Sequence, residues 1–340
     1  LWSINQITSI LSQFADKAVN LAVRFGLRQL TTNGQLNLSN CTAPEKSAGY
    51  VIIGVGKLGA QELNYSSDID LMAIYDPAHI NVPNPTDLSR IMIQLTRLII
   101  KILEEKTQNG YVFRTDFRIR PAPGSTPIAI SIESAMAYYE SVGQNWERLA
   151  MIRARPVAGD MSIGSDFISR IQPFIWRRNL DFASIRDVHA VKRQIAAYRG
   201  GKRISIKGHN IKVGRGGIRE IEFFVQTQQV IWGGRIPELR TRDLVETLNI
   251  LAKETRISHK VAEDLANAYT FLRHLEHRLQ MVDDRQTHDL PKTEEGLAII
   301  SKFAGFHDTG SLKIKLLDTL KKVEFHYDRL FKNSRNLGAQ

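Results

Sequence analysis

Asp68 and Asp70 stand one residue apart, at the end of a glycine-rich stretch that begins Gly54-Val55-Gly56-Lys57-Leu58-Gly59. In an extended strand successive side chains point to opposite faces, so the two carboxylates project one way and Ile69 and Leu71 the other. Such a pair suits Mg²⁺, which is held by one or two carboxylates together with substrate phosphates. Residues 111–121 alternate with a period of two. Tyr111, Phe113, Thr115, Phe117 and Ile119 fall on one face, and Arg114, Asp116, Arg118 and Arg120 on the other. Arginine grips phosphate bidentately, and neighbouring positive charges keep a lone aspartate ionised. Laid beside the first strand, the second supplies Asp116 as a third carboxylate and three arginines for phosphate. The chemistry implied is at phosphorus, with metal help.

The elements that must position these groups follow from the punctuation. An apolar run, residues 50–53, leads into the glycine turn; a short helix is expected over 57–65, and the Asp-x-Asp strand opens at Ser66 and Ser67. Backbone N–H groups at such a turn can receive phosphate oxygens, which makes Gly56, Lys57 and Ser67 candidate phosphate contacts. Gly54-x-Gly56-x-x-Gly59 also fits the dinucleotide fingerprint, but that site wants one acidic residue about 20 positions on rather than an Asp-x-Asp pair. Thr86 is placed to cap a long helix carrying Leu88, Ile91, Leu95, Leu98, Ile99 and Ile102, which joins the two strands. Strand, helix, strand builds a mixed α/β domain with the site at its open edge.

On either side the chain reads as helical. Residues 1–30 carry an apolar stripe of Ile7, Ile10, Leu11, Phe14, Val19, Leu21 and Val23, the remnant of an amino-terminal helical region, followed by a linker to residue 46. Beyond Pro121, helices are expected over 131–142 and 144–155. The second places Arg148 and Arg155 on nearly one face, within reach of nucleotide phosphates and oriented by Glu147. A hairpin is expected over 202–215, with Gly208-His209-Asn210 at its tip, then a helix from Ile218 on which Glu220 and Glu222 face different ways. Glu220 is the candidate to approach the metals or the substrate. Four further helices, over 241–254, 258–282, 293–303 and 311–331, make a bundle. His274 and His277 lie one turn apart there, and without a third ligand they read as packing residues.

Composition sets the outer limits. The 340 residues are 43% hydrophobic, lack an apolar run long enough to span a bilayer, and should form more than one domain: 1–45, 46–215 and 216–340. The opening Leu1-Trp2-Ser3-Ile4 has no secretory character and no initiator methionine, which suggests an intracellular, cytoplasmic fragment of a longer protein. One cysteine, Cys41, excludes an internal disulfide and a cysteine-rich zinc site. The formal net charge is +11, and much of the excess lies between residues 176 and 219. Without a zinc finger, an RNP pattern or aromatic interleaving, that excess argues for phosphate, nucleotide and an acidic protein surface rather than nucleic acid.

Four ordered motifs carry a family resemblance. Gly54-Val-Gly-Lys-Leu-Gly59 with Glu62-Leu-Asn-Tyr-Ser-Ser-Asp-Ile-Asp-Leu71, Phe113-Arg-Thr-Asp-Phe-Arg-Ile-Arg-Pro121, the stretch from Trp146-Glu-Arg to Asp160, and Gly216-Gly-Ile-Arg-Glu-Ile-Glu-Phe223 resemble the nucleotidyltransferase core of the bifunctional glutamine synthetase adenylyltransferase/adenylyl-removing enzymes. They cover roughly residues 50 to 250 of this sequence. The wording around Arg148 and Glu220 is similar to the amino-terminal, AMP-removing half; the transferase half would carry an aspartate in place of Glu220. The resemblance implies an α+β fold, with a nucleotidyltransferase-like mixed sheet flanked by helices. It also implies two Mg²⁺ ions on Asp68, Asp70 and Asp116, and glutamine synthetase and the PII signal protein as partners. The implied reaction is phosphorolysis of adenylyl-tyrosine to give ADP, the alternative being ATP-dependent adenylylation or another nucleotidyl transfer. A binding or signal-receiving module would not need all three carboxylates.

Overall fold

The apolar run at the head of the first motif becomes β1 (Tyr50–Gly54), buried along its whole length as a strand covered on both faces must be. The computed structural model describes residues 2–38, 40, 42–177 and 204–333. These form two compact units, one of residues 1–63 and 67–176, the other of 64–66 and 177 onward. The division therefore falls at 176/177, not at residues 45 and 215.

In the first unit α1 (Ile4–Thr32) opens on a capping box between Ser3 and Gln6. After β1 come the single turn α2 (Gly56–Gly59) and β2 (Asp68–Tyr75). α3 (Leu88–Glu104) then leads to β3 (Arg114–Asp116) and β4 (Ala129–Ser131). α4 (Ile132–Ser141), α5 (Asn145–Met151), β5 (Arg155–Gly159), α6 (Met161–Arg170) and α7 (Gln172–Ile175) complete it. The sheet is mixed. β1 runs antiparallel to both β2 and β5, while β3 and β4 each run parallel to β2, beside its beginning and its end. The fold class is α+β, as expected.

The period of two on β2 divides its work. Ile69, Leu71, Ala73 and Tyr75 join the core made with α1 and α3, whereas Met72 and Ile74 lie on the opposite face, and Asp68 and Asp70 continue that face at the start of the strand. On that side Tyr139 of α4 stacks on Phe174 with centroids 5.0 Å apart and brings its hydroxyl to 3.9 Å from Met72 Sδ. On the α3 side the buried Tyr50 and Thr96 hydroxyls are hydrogen-bonded at 2.7 Å.

Several expected elements are altered for identifiable reasons. α1 belongs to the sheet's own core and is no separate remnant. Its buried face is Ser12, Ala15, Val19, Ala22, Val23, Gly26, Leu27 and Leu30, while Ile10, Phe14 and Leu21 are exposed. Small residues win that face because α1 runs close to α3: a Cβ at Gly26 would lie 2.6 Å from Leu95 Cδ1. The helix expected over 57–65 stops after Gly59, and Gln61 adopts φ +59°. α3 starts at Leu88 because Asn84 caps a preceding 3₁₀ turn (Pro85–Asp87) instead of Thr86 capping the helix. The helix expected over 144–155 ends at Met151, and Arg155 begins β5, in keeping with the extended backbone favoured before Pro156.

The second unit holds α8 (Ile218–Trp232), α9 (Leu244–Lys253), α10 (His259–Met281), α11 (Glu294–Phe303) and α12 (Thr309–Asn333). Asp243, Ser258 and Thr293 cap three of them. Leu248, Leu272, Leu275, Leu316 and Leu320 lie in their shared core. The expected hairpin lies partly outside the described residues, and from residue 204 to 217 the chain forms turns instead. Asn210 Oδ1 accepts from the N–H groups of Lys212 and Val213 and Asn210 bridges Asp289, which occupies groups a hairpin ladder would use. Most of the basic stretch between residues 176 and 219 also lies outside the described residues.

One partly buried ion pair ties α1 to the first unit's turn. Arg155 donates to both Asp16 oxygens, at 2.8 and 2.9 Å, and to the Leu58 carbonyl at 3.0 Å. Burial pushes the Asp16 carboxyl up, against the pull of Arg155. Arg155→Met, which strands that carboxylate, should lower the unfolding free energy in urea by about 3 kcal/mol, with Arg155→Met/Asp16→Asn recovering part of the loss.

Candidate active site

The glycine turn and the aspartate strand are built against each other. Val55 N–H donates to the Asp70 carbonyl at 3.0 Å. Gly56 has φ +57°, and a Cβ there would collide with Asp70 Oδ2. Gly59 is pressed on the Arg153 carbonyl, which leaves no room for a side chain. The glycine spacing thus serves the carboxylate strand. Lys57 is buried beside it, and Ser67 Oγ donates to the Asp68 carbonyl at 2.9 Å.

The parallel pairing of β2 with β3 sets the register Asp68 with Arg114, Ile69 with Thr115 and Asp70 with Asp116. Registered neighbours share a face at a strand spacing of about 4.8 Å, so Asp70 and Asp116 stand side by side with Asp68 two residues up the same strand. Each outer carboxylate is met by an arginine. Arg114 Nε lies 3.1 Å from Asp68 Oδ1, and Arg114 also donates to the Tyr111 hydroxyl. Arg118 Nε lies 3.0 Å from both Asp116 oxygens and its Nη2 2.6 Å from Oδ2. Those Arg118 bonds hold the Asp116 carboxyl below its ordinary range, against the upward push of partial burial.

Among the described residues no three His, Cys, Asp or Glu side chains are gathered closely enough to hold a metal ion as they stand. Carboxylates placed together repel, and here arginines supply the positive charge in Arg114–Asp68 and Arg118–Asp116. The donor set nonetheless suits a hard divalent cation: carboxylate oxygens share a face on paired strands, under a turn whose glycine leaves the Asp70 carboxylate its space.

The remaining candidates divide. β3 is three residues long, because the Arg118 N–H and guanidinium turn back onto Asp116, so the alternation expected to residue 121 ends there. Arg120 is a loop residue: its guanidinium donates to the carbonyls of Phe117, Pro123, Thr126 and Pro127. Arg148 is buried, donating to Asn145 Oδ1 and the Ile175 carbonyl, and Arg155 is committed to Asp16. These three arginines are engaged with oxygens away from the carboxylate face, whereas Arg114 and Arg118 stand on it. Glu147, expected to orient Arg148 and Arg155, instead caps α5 through Gln144 N–H and accepts from the Tyr138 hydroxyl. Glu220 is buried in the first turn of α8, in the second unit.

Two positioning residues escaped the sequence reading. Tyr111 falls on the face opposite Arg114 in the alternation, yet it precedes β3, and its hydroxyl serves Arg114. Glu104 accepts from both Thr115 N–H, at 2.8 Å, and Thr115 Oγ1, at 2.6 Å, pinning β3 to the end of α3. An acid at the last position of a helix opposes the helix dipole, and that was the available signal.

Residues 1–169 match the model of the glutamate-ammonia ligase adenylyltransferase family, and residues 188–331 that of GlnD PII-uridylyltransferase. The chain is similar to proteins named bifunctional glutamine synthetase adenylyltransferase/adenylyl-removing enzyme. The relative from Rhizobium meliloti (strain 1021) is 50% identical over all 340 residues, which cover 34% of that relative. Those from Mesorhizobium japonicum and Bartonella henselae are 50% and 49% identical over 97% of the chain, covering 33% and 34% of the relatives. The chain spans about a third of the length of these curated relatives.

Two outcomes follow from the local geometry. In Arg118→Ala the Asp116 carboxyl should titrate at higher pH than in the wild type, because the bonds that favour its ionised form are gone; carboxyl-detected NMR titration reads this directly. Gly56→Ala should cost on the order of 1 kcal/mol in stability for its backbone conformation, measured by urea unfolding, and should weaken Mn²⁺ binding by crowding Asp70.

Proposed function

The chain belongs to the family of the bifunctional glutamine synthetase adenylyltransferase/adenylyl-removing enzymes, and on that premise we propose that it is a metal-dependent nucleotidyltransferase acting on glutamine synthetase. Of the two activities in that name we assign it the removal of AMP, by phosphorolysis of adenylyl-tyrosine, in the cytoplasm. An oxygen of inorganic phosphate attacks the adenylyl phosphorus, the bond from phosphorus to the tyrosine oxygen breaks, ADP forms, and the phenolate takes a proton from water. The observation that carries the reading is the register that sets Asp116 beside Asp70, on the face that Asp68 shares.

Asp68, Asp70 and Asp116 would hold two Mg²⁺ ions, which supply charge stabilisation to the attacking and leaving oxygens. The side chains position and neutralise. Arg114 and Arg118, paired with Asp68 and Asp116, are the cations closest at hand for phosphate oxygens once those carboxylates take up metal. No protein nucleophile is required, since such displacements rest on positioning and electrostatics. Glutamine synthetase is the protein substrate in this reading, with phosphate and ADP as small ligands and the PII signal protein as regulator.

The direction of transfer rests on the Trp146-Glu147-Arg148 and Gly216–Phe223 wording. Arg148 is buried and donates to the Ile175 carbonyl, so we take Glu220 as the residue bearing on direction. The second reading is ATP-dependent adenylylation on the same carboxylates, an activity the relatives' shared name also contains.

Incubated with adenylylated glutamine synthetase, phosphate and Mg²⁺, the chain should release ADP. Asp68→Asn or Asp70→Asn should lower the rate by about 10³-fold, the scale of losing a principal electrostatic group, with an unchanged circular dichroism spectrum. Labelling of unmodified synthetase from ATP without any ADP release from the adenylylated form would establish the opposite direction.

A further inference from the structure

Within the first unit, one ridge of α1 is polar although the helix packs against β5 and α3. Ser12, Asp16, Asn20 and Arg24 recur every four residues, and each bonds a different part of that unit. Ser12 Oγ accepts from Leu63 N–H at 3.1 Å, and Asp16 takes the Arg155 guanidinium. Asn20 Oδ1 accepts from Gly159 N–H at 3.0 Å, and Arg24 Nε lies 3.0 Å from Glu45 Oε2.

The first two of these contacts fall on the segment that carries the glycine turn. Arg155 extends the Asp16 contact, donating at 3.0 Å to the Leu58 carbonyl in α2, and Ser12 meets the Leu63 N–H where the segment ends. A carbonyl held at one end and an N–H held at the other fix the position and the orientation of the segment together. On its other side the turn meets β2. Val55 N–H donates to the Asp70 carbonyl at 3.0 Å, and Gly56 bounds the space of the Asp70 carboxylate. The turn is thus gripped between α1 and Asp70, with Gly59 pressed on the Arg153 carbonyl just ahead of Arg155.

Ser12 is fully buried, and the Arg155 side chain is 10% exposed. Desolvation takes back much of what a buried ion pair gains, so stability alone would be served as well by apolar residues of similar bulk. The forked guanidinium does what an apolar side chain does not: it joins a carboxylate on α1 to a backbone carbonyl of the turn.

We propose that Ser12 and the Asp16–Arg155 pair are positioning residues for the Asp70 carboxylate: by holding the glycine turn at both ends they fix the surface that Asp70 meets. The inference rests on the metal-site reading given above. Ser12, Asp16 and Arg155 touch no reacting group in it.

The test uses the full chain and Mn²⁺ as probe, with free Mn²⁺ read by electron paramagnetic resonance, stability by urea unfolding and the Leu63 amide by hydrogen exchange. Arg155→Met should weaken Mn²⁺ binding by about 10-fold or more, the scale of losing an outer-shell support. Arg155→Met/Asp16→Asn should recover part of the stability but none of the Mn²⁺ affinity, because nothing in it donates to the Leu58 carbonyl. Ser12→Ala should speed Leu63 exchange and weaken Mn²⁺ binding, and it carries the comparison if the Arg155 variants do not fold. Mn²⁺ affinity that recovers in step with stability in the double variant, or faster Leu63 exchange with wild-type affinity in Ser12→Ala, would overturn the inference and leave the metal site standing. A wild-type chain that binds no Mn²⁺ would overturn the metal-site reading itself, and the inference with it.

Discussion

The pairing of β2 with β3 is short, three residues against three, and the candidate chemistry depends on it. A parallel ladder sets register without freedom of half-steps, since a slip of one residue would turn Asp116 to the other face. The structure secures that register from several sides. Glu104 takes the Thr115 N–H and hydroxyl, Tyr111 holds Arg114, and Arg114 reaches across to Asp68. The glycine turn then closes on Asp70, with Gly56 leaving the carboxylate its space.

The same arginines balance the charge of the clustered acids. Two arginines stand on the outer carboxylates, so the repulsion that crowds three acids is met within the first unit. A divalent ion would compete with Arg114 and Arg118 for Asp68 and Asp116, and the displaced guanidinium groups would be at hand for phosphate. The other arginines of the motifs do different work. Arg120 binds loop carbonyls, Arg148 ties α5 to Ile175, and Arg155 anchors α1 through Asp16. A motif rich in arginine mixes residues that meet ligand with residues that build the frame.

How much of this was legible in the sequence depended on whether a local rule or a distant partner decided the outcome. Alternation gave the common face of Asp68 and Asp70, and the strand, helix, strand order gave the mixed sheet, because both are set by neighbours in sequence. The buried face of α1 departs from its apolar stripe because close approach to α3 favours Ala15, Ala22 and Gly26 over Phe14 and Leu21. Arg155 shares a helical spacing with Arg148, but Pro156 favours an extended backbone at its neighbour, and Arg155 begins β5. The bonds of Arg148 and Arg155 were beyond reach, since their partners lie 27 and 139 residues away.

The central claim is that Asp68, Asp70 and Asp116 together receive divalent ions at the edge of this sheet. The most direct measurement is an anomalous difference map from crystals of the chain soaked with Mn²⁺ and ADP. The account predicts peaks bounded by these three carboxylates, at ligand distances of about 2.0–2.3 Å, with Arg114 and Arg118 moved off Asp68 and Asp116. Mn²⁺ peaks elsewhere, with both arginine pairs intact, would contradict it.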